Sequence, residues 1–120
     1  MPLAARFLGV SPQTAQSLQG DVNAAVSAAG TTLATATLLQ TAVNIVTTAT
    51  ALQGVKLQTG VVGDSQIVWN NSGVSITVYP SSASAQINQI AAGGGMVLAD
   101  KSACEYVVAS STQHIALLSA

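Results

Sequence analysis

Residues Val62–Pro80, VGDSQIVWNNSGVSITVYP, read as two short strands joined by a polar turn. The strands are predicted at Gln66–Trp69 and Val74–Tyr79, because apolar and polar residues alternate along both. The run Asn70–Gly73 between them has the composition typical of a hairpin loop. The stretch therefore predicts a β-hairpin. It also holds the only Trp and one of the two Tyr of the chain, so we expect it to supply much of the heavy core material.

The faces of the two strands follow from the same alternation. Ile67 and Trp69 share one face of the first strand, and Val74, Ile76 and Val78 share one face of the second. Successive side chains of a strand point to opposite sides of the sheet. Each strand is therefore expected to have one buried and one less buried face.

Further strands are predicted on both sides of this stretch. A competing helical spacing occurs in residues 31–51, but the many threonines and β-branched aliphatics there favour strands. No internal repeat of fixed period is evident. Seven to nine short strands with frequent turns predict an antiparallel β-sandwich or jelly roll formed by residues 31–120. The additional strands are expected at Thr32–Leu39, Val43–Ala49, Val55–Gln58, Gln86–Ile90, Met96–Leu98, Ser102–Ala109 and Gln113–Leu118.

Residues 1–30 are predicted to form a separate N-terminal arm that is extended or partly helical. Ser11-Pro12 has the sequence of a helix start, and Gly20 would end that helix. Asp21 would cap a second short helix that continues through Ala29. An extended arm lying on a neighbouring molecule is favoured over these helices, because this region has too little apolar material to fold alone.

The composition favours a protein that buries its surface against other subunits. Only 6% of the 120 residues are charged, whereas soluble domains contain about 25%. A net charge of −1 without a basic patch argues against nucleic acid as a partner. The uncharged run between Asp21 and Lys56 is rich in threonine, so we expect no membrane-spanning helix.

No catalytic, cofactor or metal site is predicted, and we expect the protein not to be an enzyme. His114, the only histidine, has no evident partner in the sequence. Cys104 lies in an apolar alternation typical of a buried cysteine, although a hydrolase would need it or a serine to lie beside His114. Asn70 begins a match to the glycosylation sequon, which the predicted loop already explains. The carboxylates are too scattered to bind a metal ion: Asp21, Asp64, Asp100 and Glu105.

A series of turn and strand motifs between about Gly54 and Gln113 resembles small structural proteins of tailed bacteriophages. The proteins concerned are head decoration (cement) proteins and head-fibre base proteins. The resemblance covers half of the chain and involves no catalytic residues. It is carried by Gly54-Val55-Lys56-Leu57, Gly63-Asp64, Asn70-Asn71-Ser72-Gly73, Val78-Tyr79-Pro80, Ile87-Asn88, Asp100-Lys101-Ser102-Ala103 and Ser110-Ser111-Thr112-Gln113.

The resemblance implies a virion protein that binds the outer capsid surface as a homotrimer and stabilises the shell. The implied partners are other copies of the chain and the major capsid protein, with no nucleic acid and no membrane. The implied location is the capsid exterior, after synthesis in the bacterial host cytoplasm. A fibre module that attaches to host-surface glycans is the alternative. Within the arm, the expected capsid or subunit contacts are Leu3, Arg6, Phe7, Leu8 and Val10.

Overall fold

The computed structural model describes residues 21–118, and residues 1–20 and 119–120 lie outside this range. The described part contains ten β-strands and no helix, so the mainly β prediction is confirmed. Met96–Leu98 and Gln113–Leu118 were predicted with these same bounds. The strands are β1 Val22–Ser27, β2 Thr37–Leu38, β3 Val43–Thr48, β4 Gly54–Lys56, β5 Ser65–Asn70, β6 Ile76–Tyr79, β7 Gln86–Ile87, β8 Met96–Leu98, β9 Ala103–Ser110 and β10 Gln113–Leu118.

The first six strands form three stacked coils of a short β-solenoid. The chain alternates between a six-stranded sheet, ordered β1-β3-β5-β9-β10-β7, and a four-stranded sheet, ordered β2-β4-β6-β8. The pairs β1–β3, β3–β5, β2–β4 and β4–β6 are all parallel. Val22 lies beside Val43, which lies beside Ile67. The unequal spacing of these equivalent positions is the reason that no fixed repeat is visible in the sequence.

The last four strands extend both sheets in a different way. In the four-stranded sheet, β8 pairs antiparallel with β6. In the six-stranded sheet, β9 pairs antiparallel with β5 and β10 pairs antiparallel with β9. The short β7 pairs parallel with β10. These strands therefore continue the sheets beyond the third coil.

The predicted sandwich or jelly roll is wrong, and so is the hairpin within Val62–Pro80. β5 and β6 follow each other in the chain but belong to different sheets. A hairpin would have paired them antiparallel, whereas β5 pairs with β3 and β9, and β6 pairs with β4 and β8. Alternating strand patterns establish which residues are extended, but the partner of each strand depends on tertiary packing.

The helix predicted from Asp21 to Ala29 is also wrong. Val22–Ser27 is strand β1, which pairs with β3 and so belongs to the six-stranded sheet. The helix predicted between Ser11 and Gly20 lies outside the described residues. Within residues 21–118 no helix is long and apolar enough to cross a membrane.

The core lies between the two sheets and consists mainly of aliphatic side chains. Ile76 and Val78 of β6 are fully buried, which confirms that they share an inward face. Trp69, by contrast, is 40% exposed on the side facing away from the core, so the expectation that it supplies core material is wrong. Its neighbours Val68 and Asn70 point inward instead. The fully buried aliphatic residues include Leu39, Val46, Val55, Leu57, Ile87 and Leu98.

Candidate functional site

The candidate site among residues 21–118 is the side of the six-stranded sheet that points away from the core, which we call the outer face. Its residues lie in rows across neighbouring strands. The central row is Val43, Ile67, Glu105 and Leu117. The rows on either side of it are Ile45–Trp69–Ala103 and Ser65–Val107–Ile115.

The outer face is predominantly apolar although no part of the described chain covers it. Trp69, Ile115 and Leu117 are exposed, and Leu117 keeps 56% of its surface accessible. At a strand spacing of about 4.8 Å and a rise of about 3.3 Å per residue, the face measures roughly 20 Å by 20 Å. Its area is therefore on the order of 400 Å², within the size range of the largest apolar patches of monomeric proteins, which are often functional.

Only one ionisable carboxylate or ammonium group belongs to the strands of this sheet, that of Glu105. Because Ile67 pairs with Glu105 while Trp69 pairs with Ala103, the carboxylate lies on the diagonal from the indole. Diagonal neighbours on one sheet face are within reach of aromatic and long side chains. The outer face thus combines a flat apolar surface, one exposed aromatic ring and one negative charge.

Buried side-chain amides form hydrogen bonds to the backbone at the corners where the chain passes from one sheet to the other. The Asn70 side chain donates to the carbonyl oxygens of Val74 (2.7 Å) and Leu98 (2.9 Å). Its Oδ1 accepts hydrogen bonds from the backbone N–H (3.1 Å) and the hydroxyl (2.6 Å) of Ser72. Asn70 has no exposed surface, so the sequon match cannot serve as a glycosylation site in the folded protein.

At the opposite corner, the buried side-chain amides of Gln66 and Asn44 also form hydrogen bonds to the backbone. The Gln66 amide donates to the carbonyls of Leu39 (3.2 Å) and Thr41 (3.0 Å) and accepts from the N–H of Gln58 (2.9 Å). It therefore links successive coils. Asn44 donates to the carbonyls of Thr41 (2.9 Å) and Ile67 (3.2 Å). These amides are structural, because each satisfies backbone groups that would otherwise be buried without a partner.

The structure brings His114 beside Ser81, a partner that the sequence did not indicate. The His114 Nε2 lies 3.1 Å from the Ser81 Oγ and 3.3 Å from the Ser81 backbone nitrogen. A backbone N–H can only donate, so Nε2 is the acceptor and the neutral ring carries its proton on Nδ1. The two residues are 33 positions apart and share no motif, so only the fold shows that they meet.

The Ser81–His114 pair lacks the remaining parts of a nucleophilic site in the described residues. Nδ1 is buried without a hydrogen-bond partner, whereas a catalytic histidine is oriented by a third group at that atom. The ring itself is only 3% exposed. We conclude that the pair fastens the turn after Pro80 to strand β10.

Cys104 does not approach His114. Within the β9–β10 ladder Cys104 pairs with Leu118, whereas His114 pairs with Val108 near the other end. Burial raises the pKa of the Cys104 thiol, which keeps it protonated and poorly nucleophilic. The prediction of a buried cysteine in an apolar alternation is confirmed, since Cys104 and Tyr106 are each 1% exposed.

Burial of His114 makes stability depend on pH. Desolvation lowers the pKa of His114 below its ordinary value of 6.5. The unfolded chain therefore takes up a proton below pH 6.5 while the folded chain does not, so stability is complete above pH 6.5 and decreases as the pH falls towards the folded pKa. We expect the urea midpoint to drop between pH 7.5 and 5.5, and this slope to disappear in His114→Gln. Because His114 is the only histidine, an unchanged slope in that variant would contradict this assignment.

Three of the carboxylates each accept a backbone N–H at a different place in the fold and do not form a shared site. Asp64 accepts the Val61 N–H at 3.0 Å, and Asp100 accepts the Gly73 N–H at 2.9 Å. Asp21 accepts the Ala42 N–H at 3.1 Å. No group of three or more potential metal ligands occurs among residues 21–118.

The other candidate residues are dispersed. Leu3, Arg6, Phe7, Leu8 and Val10 lie outside the described residues. Tyr106 is buried, and the Tyr79 hydroxyl donates to the Thr31 carbonyl at 2.7 Å. Of the aromatic residues Trp69, Tyr79 and Tyr106, only Trp69 is exposed, and it belongs to the outer face. The signal for that face was present in the sequence, because apolar residues occupy both alternating positions of β3 and β5.

Comparison of the sequence with protein-family models and with curated proteins gives no match. The bacteriophage resemblance of the sequence motifs therefore remains a prediction.

Proposed function

We propose that the protein is a non-enzymatic structural component of a bacteriophage virion. It binds the outside of the capsid as a homotrimer, contacts the major capsid protein and stabilises the shell. It needs no cofactor, and it reaches the capsid exterior after synthesis in the host cytoplasm. The observation that carries this proposal is the outer face, an apolar sheet surface suited to burial against protein.

Two further observations support the proposal. The chain has only seven charged residues in 120, which fits a protein that works inside an assembly. The two sheets around an aliphatic core form a scaffold. The buried amide side chains of this scaffold form hydrogen bonds to the backbone at its corners. Many weak contacts repeated over a shell bind with an avidity that a single contact lacks.

The N-terminal residues supply the second contact in this proposal. Leu3, Phe7, Leu8 and Val10, together with Arg6, would reach a neighbouring capsid subunit. Twenty extended residues span at most about 66–72 Å, enough to leave the solenoid and cross to a neighbour. Because β1 begins at Val22 and belongs to the sheet, the contacting segment is limited to residues 1–20 rather than 1–29.

Cosedimentation with capsids of the phage that encodes the protein tests this proposal. We expect the full-length chain to pellet with capsids to a saturating stoichiometry, and the chain without residues 1–20 to bind at least about tenfold more weakly. The shorter deletion leaves β1 intact, so a loss of binding is not caused by damage to the sheet. Absence of full-length chain from the capsid pellet would refute the function, and undiminished binding of the deletion would refute the role of residues 1–20.

A glycan-binding fibre module is the second candidate, and the exposed Trp69 beside Glu105 favours it. An indole offers an apolar ring on which a sugar can stack, and a carboxylate accepts hydrogen bonds from sugar hydroxyls. The two functions differ in what covers the outer face: sugar binding requires Trp69 to stay accessible in the assembled protein. Quenching of the single tryptophan by acrylamide in the oligomer distinguishes them, since a ring buried between subunits is protected.

A further inference from the structure

We propose that the segment between β6 and β8 opens as a local unit in mild acid, and that His114 is the group that senses the pH. We call residues 80–95, which include β7, the closing segment. This opening is a conformational property of the fold that goes beyond the proposed function, and it does not depend on capsid binding.

The closing segment connects the two sheets and contributes to the core. It leaves the four-stranded sheet after β6, reaches the edge of the six-stranded sheet at β7 and returns to the four-stranded sheet at β8. Ala85 and Ile87 of this segment are fully buried, and Ile87 belongs to the hydrophobic core. Release of the closing segment would therefore admit water to this part of the core.

The closing segment is attached to β10 around His114. Strand β7 pairs with only two residues of β10, Gln113 and His114. The Asn88 N–H donates to the His114 carbonyl oxygen at 2.9 Å, and the Asn88 Oδ1 accepts the Ala116 N–H at 2.9 Å. Near the start of the segment, the Ser81 N–H donates to the His114 Nε2 at 3.3 Å. His114 thus holds the segment through both its backbone and its ring.

Protonation of His114 is incompatible with the attachment at its ring. A protonated ring carries N–H donors at both nitrogens, so the new donor at Nε2 would face the Ser81 N–H, which is also a donor. The Ser81 hydroxyl, 3.1 Å from Nε2, can rotate to accept the ring proton, but the Ser81 N–H then loses its acceptor. The charge would also lie in a side chain that is only 3% exposed. Opening of the segment hydrates the ring and removes both costs.

Strand β9, which is the neighbour of β10, places no charge at the ring. Tyr106 and Cys104 are on the same inner side of the sheet as His114, and burial raises the pKa of both, so they stay neutral. The carboxylate of Glu105 belongs to the outer face. A proton on the ring therefore gains no counter-charge from this strand.

The other described elements around the ring likewise bring no charge against it. Asp64 precedes β5, which β9 separates from β10, and its exposed carboxylate accepts a backbone N–H of its own loop. Lys56 and Tyr79 lie side by side on the four-stranded sheet, pointing away from the core because the residues on either side of each are buried. Residues 80–95 contain no ionisable side chain. Desolvation is accordingly the cause of the lowered pKa of His114.

The opening is expected to be local because the other strand pairs do not depend on the closing segment. The parallel pairs of β1, β3 and β5 include no residue of the segment. Strand β10 keeps its antiparallel pairing with β9 from Gln113 to Leu118 when the segment leaves. Gly93–Gly95 provide a hinge at the far end, since glycine has more backbone freedom to regain than any other residue. After opening, β10 is the edge of the six-stranded sheet.

The opening becomes more favourable as the pH falls. In the open form His114 is hydrated and titrates near its ordinary pKa of 6.5, whereas in the closed form the pKa is lower. The opening constant is therefore constant above pH 6.5 and rises below it until the pKa of the closed form is reached. Between pH 7.5 and pH 5.0 we expect it to increase about five- to thirtyfold.

Native-state hydrogen exchange of the full-length protein, measured by NMR and corrected for the intrinsic exchange rates, tests the inference. The amides of Asn88 and Gly93 report on the closing segment, since they donate to the carbonyls of His114 (2.9 Å) and Ala85 (2.8 Å). The Ile67 amide, which donates to the Ala42 carbonyl at 2.8 Å, reports on the coils. We expect the two segment amides to exchange through an opening that occurs more readily than that of Ile67 and hardly depends on low concentrations of urea.

Two variants identify the group that titrates. His114→Gln retains a side-chain acceptor for the Ser81 N–H but has no ionisable group, so its opening constant should be the same at pH 7.5 and pH 5.0. Ser81→Ala keeps the backbone N–H and removes only the hydroxyl, and should retain the pH dependence. Persistence of the pH dependence in His114→Gln would overturn the inference. Segment amides of the wild type that match Ile67 in opening constant and urea dependence would overturn it as well, because acid would then act on global unfolding alone.

Discussion

Replacing Asn70 with alanine is expected to lower the free energy of unfolding by about 3–5 kcal/mol. The side chain makes four hydrogen bonds, two donated to the carbonyls of Val74 and Leu98 and two accepted from Ser72. All four are lost together, and the site has no access to water because Asn70 is fully buried. Domains of this size are stable by about 5–15 kcal/mol, so the loss is a large fraction of the total. Equilibrium unfolding in urea measures it.

The adjacent residue Asn71 provides the matched control. Its side-chain oxygen accepts a hydrogen bond from the exposed Lys101 Nζ, and its backbone N–H donates to the Val46 carbonyl at 2.8 Å. Asn71→Ala keeps the backbone bond and removes only the surface contact, so we expect a loss below about 1 kcal/mol. Equal losses in Asn70→Ala and Asn71→Ala would contradict the role assigned to the buried corner amide.

Replacing Gly54 with alanine is expected to cost about 1–3 kcal/mol through a steric clash. A Cβ atom at this position would lie 2.5 Å from the Cε2 of Tyr79 and 3.2 Å from the Cβ of Ala36. The ring cannot move away freely, because the Tyr79 hydroxyl donates to the Thr31 carbonyl at 2.7 Å. The glycine is therefore required by close packing between β4 and the tyrosine of β6. Thermal or urea unfolding measures the loss.

A double-mutant cycle with Tyr79→Ala isolates this clash. Removing the ring eliminates the atom that the new Cβ would meet first, so Gly54→Ala should cost much less in the Tyr79→Ala background than in the wild type. The difference is the coupling energy between the two positions. An identical cost in both backgrounds would show that the glycine is needed for its backbone flexibility, not for the space that it leaves.

These predictions concern the residues that hold the fold together. The buried amides at the corners and the packing of Tyr79 on Gly54 hold the coils in register. The outer face contributes to neither, and none of the other residues in 21–118 covers it. Substitutions at Asn70 or Gly54 should thus lower stability, whereas a substitution at Trp69, which is 40% exposed, should have a smaller effect on folding.

The sequence by itself determined which residues are extended. Alternation and turn residues placed most of the strands, and the β10 and β8 bounds were predicted without error. It also determined the inward face of β6 and the burial of Cys104, because a side-chain period of two leaves little freedom once a strand is assigned. The scarcity of charge, likewise a property of the sequence, first suggested a surface that is buried in an assembly.

Only the tertiary structure decided how the strands pair. Asn70 belongs to a polar run that suits a hairpin loop, yet its side chain turns inward and fastens a corner between two sheets. Parallel pairing joins strands separated by a whole coil, such as Val43 with Ile67, and no local pattern encodes such distant partners. The same long-range packing placed Trp69 outside and Ser81 beside His114. Whether a segment is extended is decided locally. The order of strands in the sheets, the composition of the outer face and the contact between Ser81 and His114 depend instead on packing between distant parts of the chain.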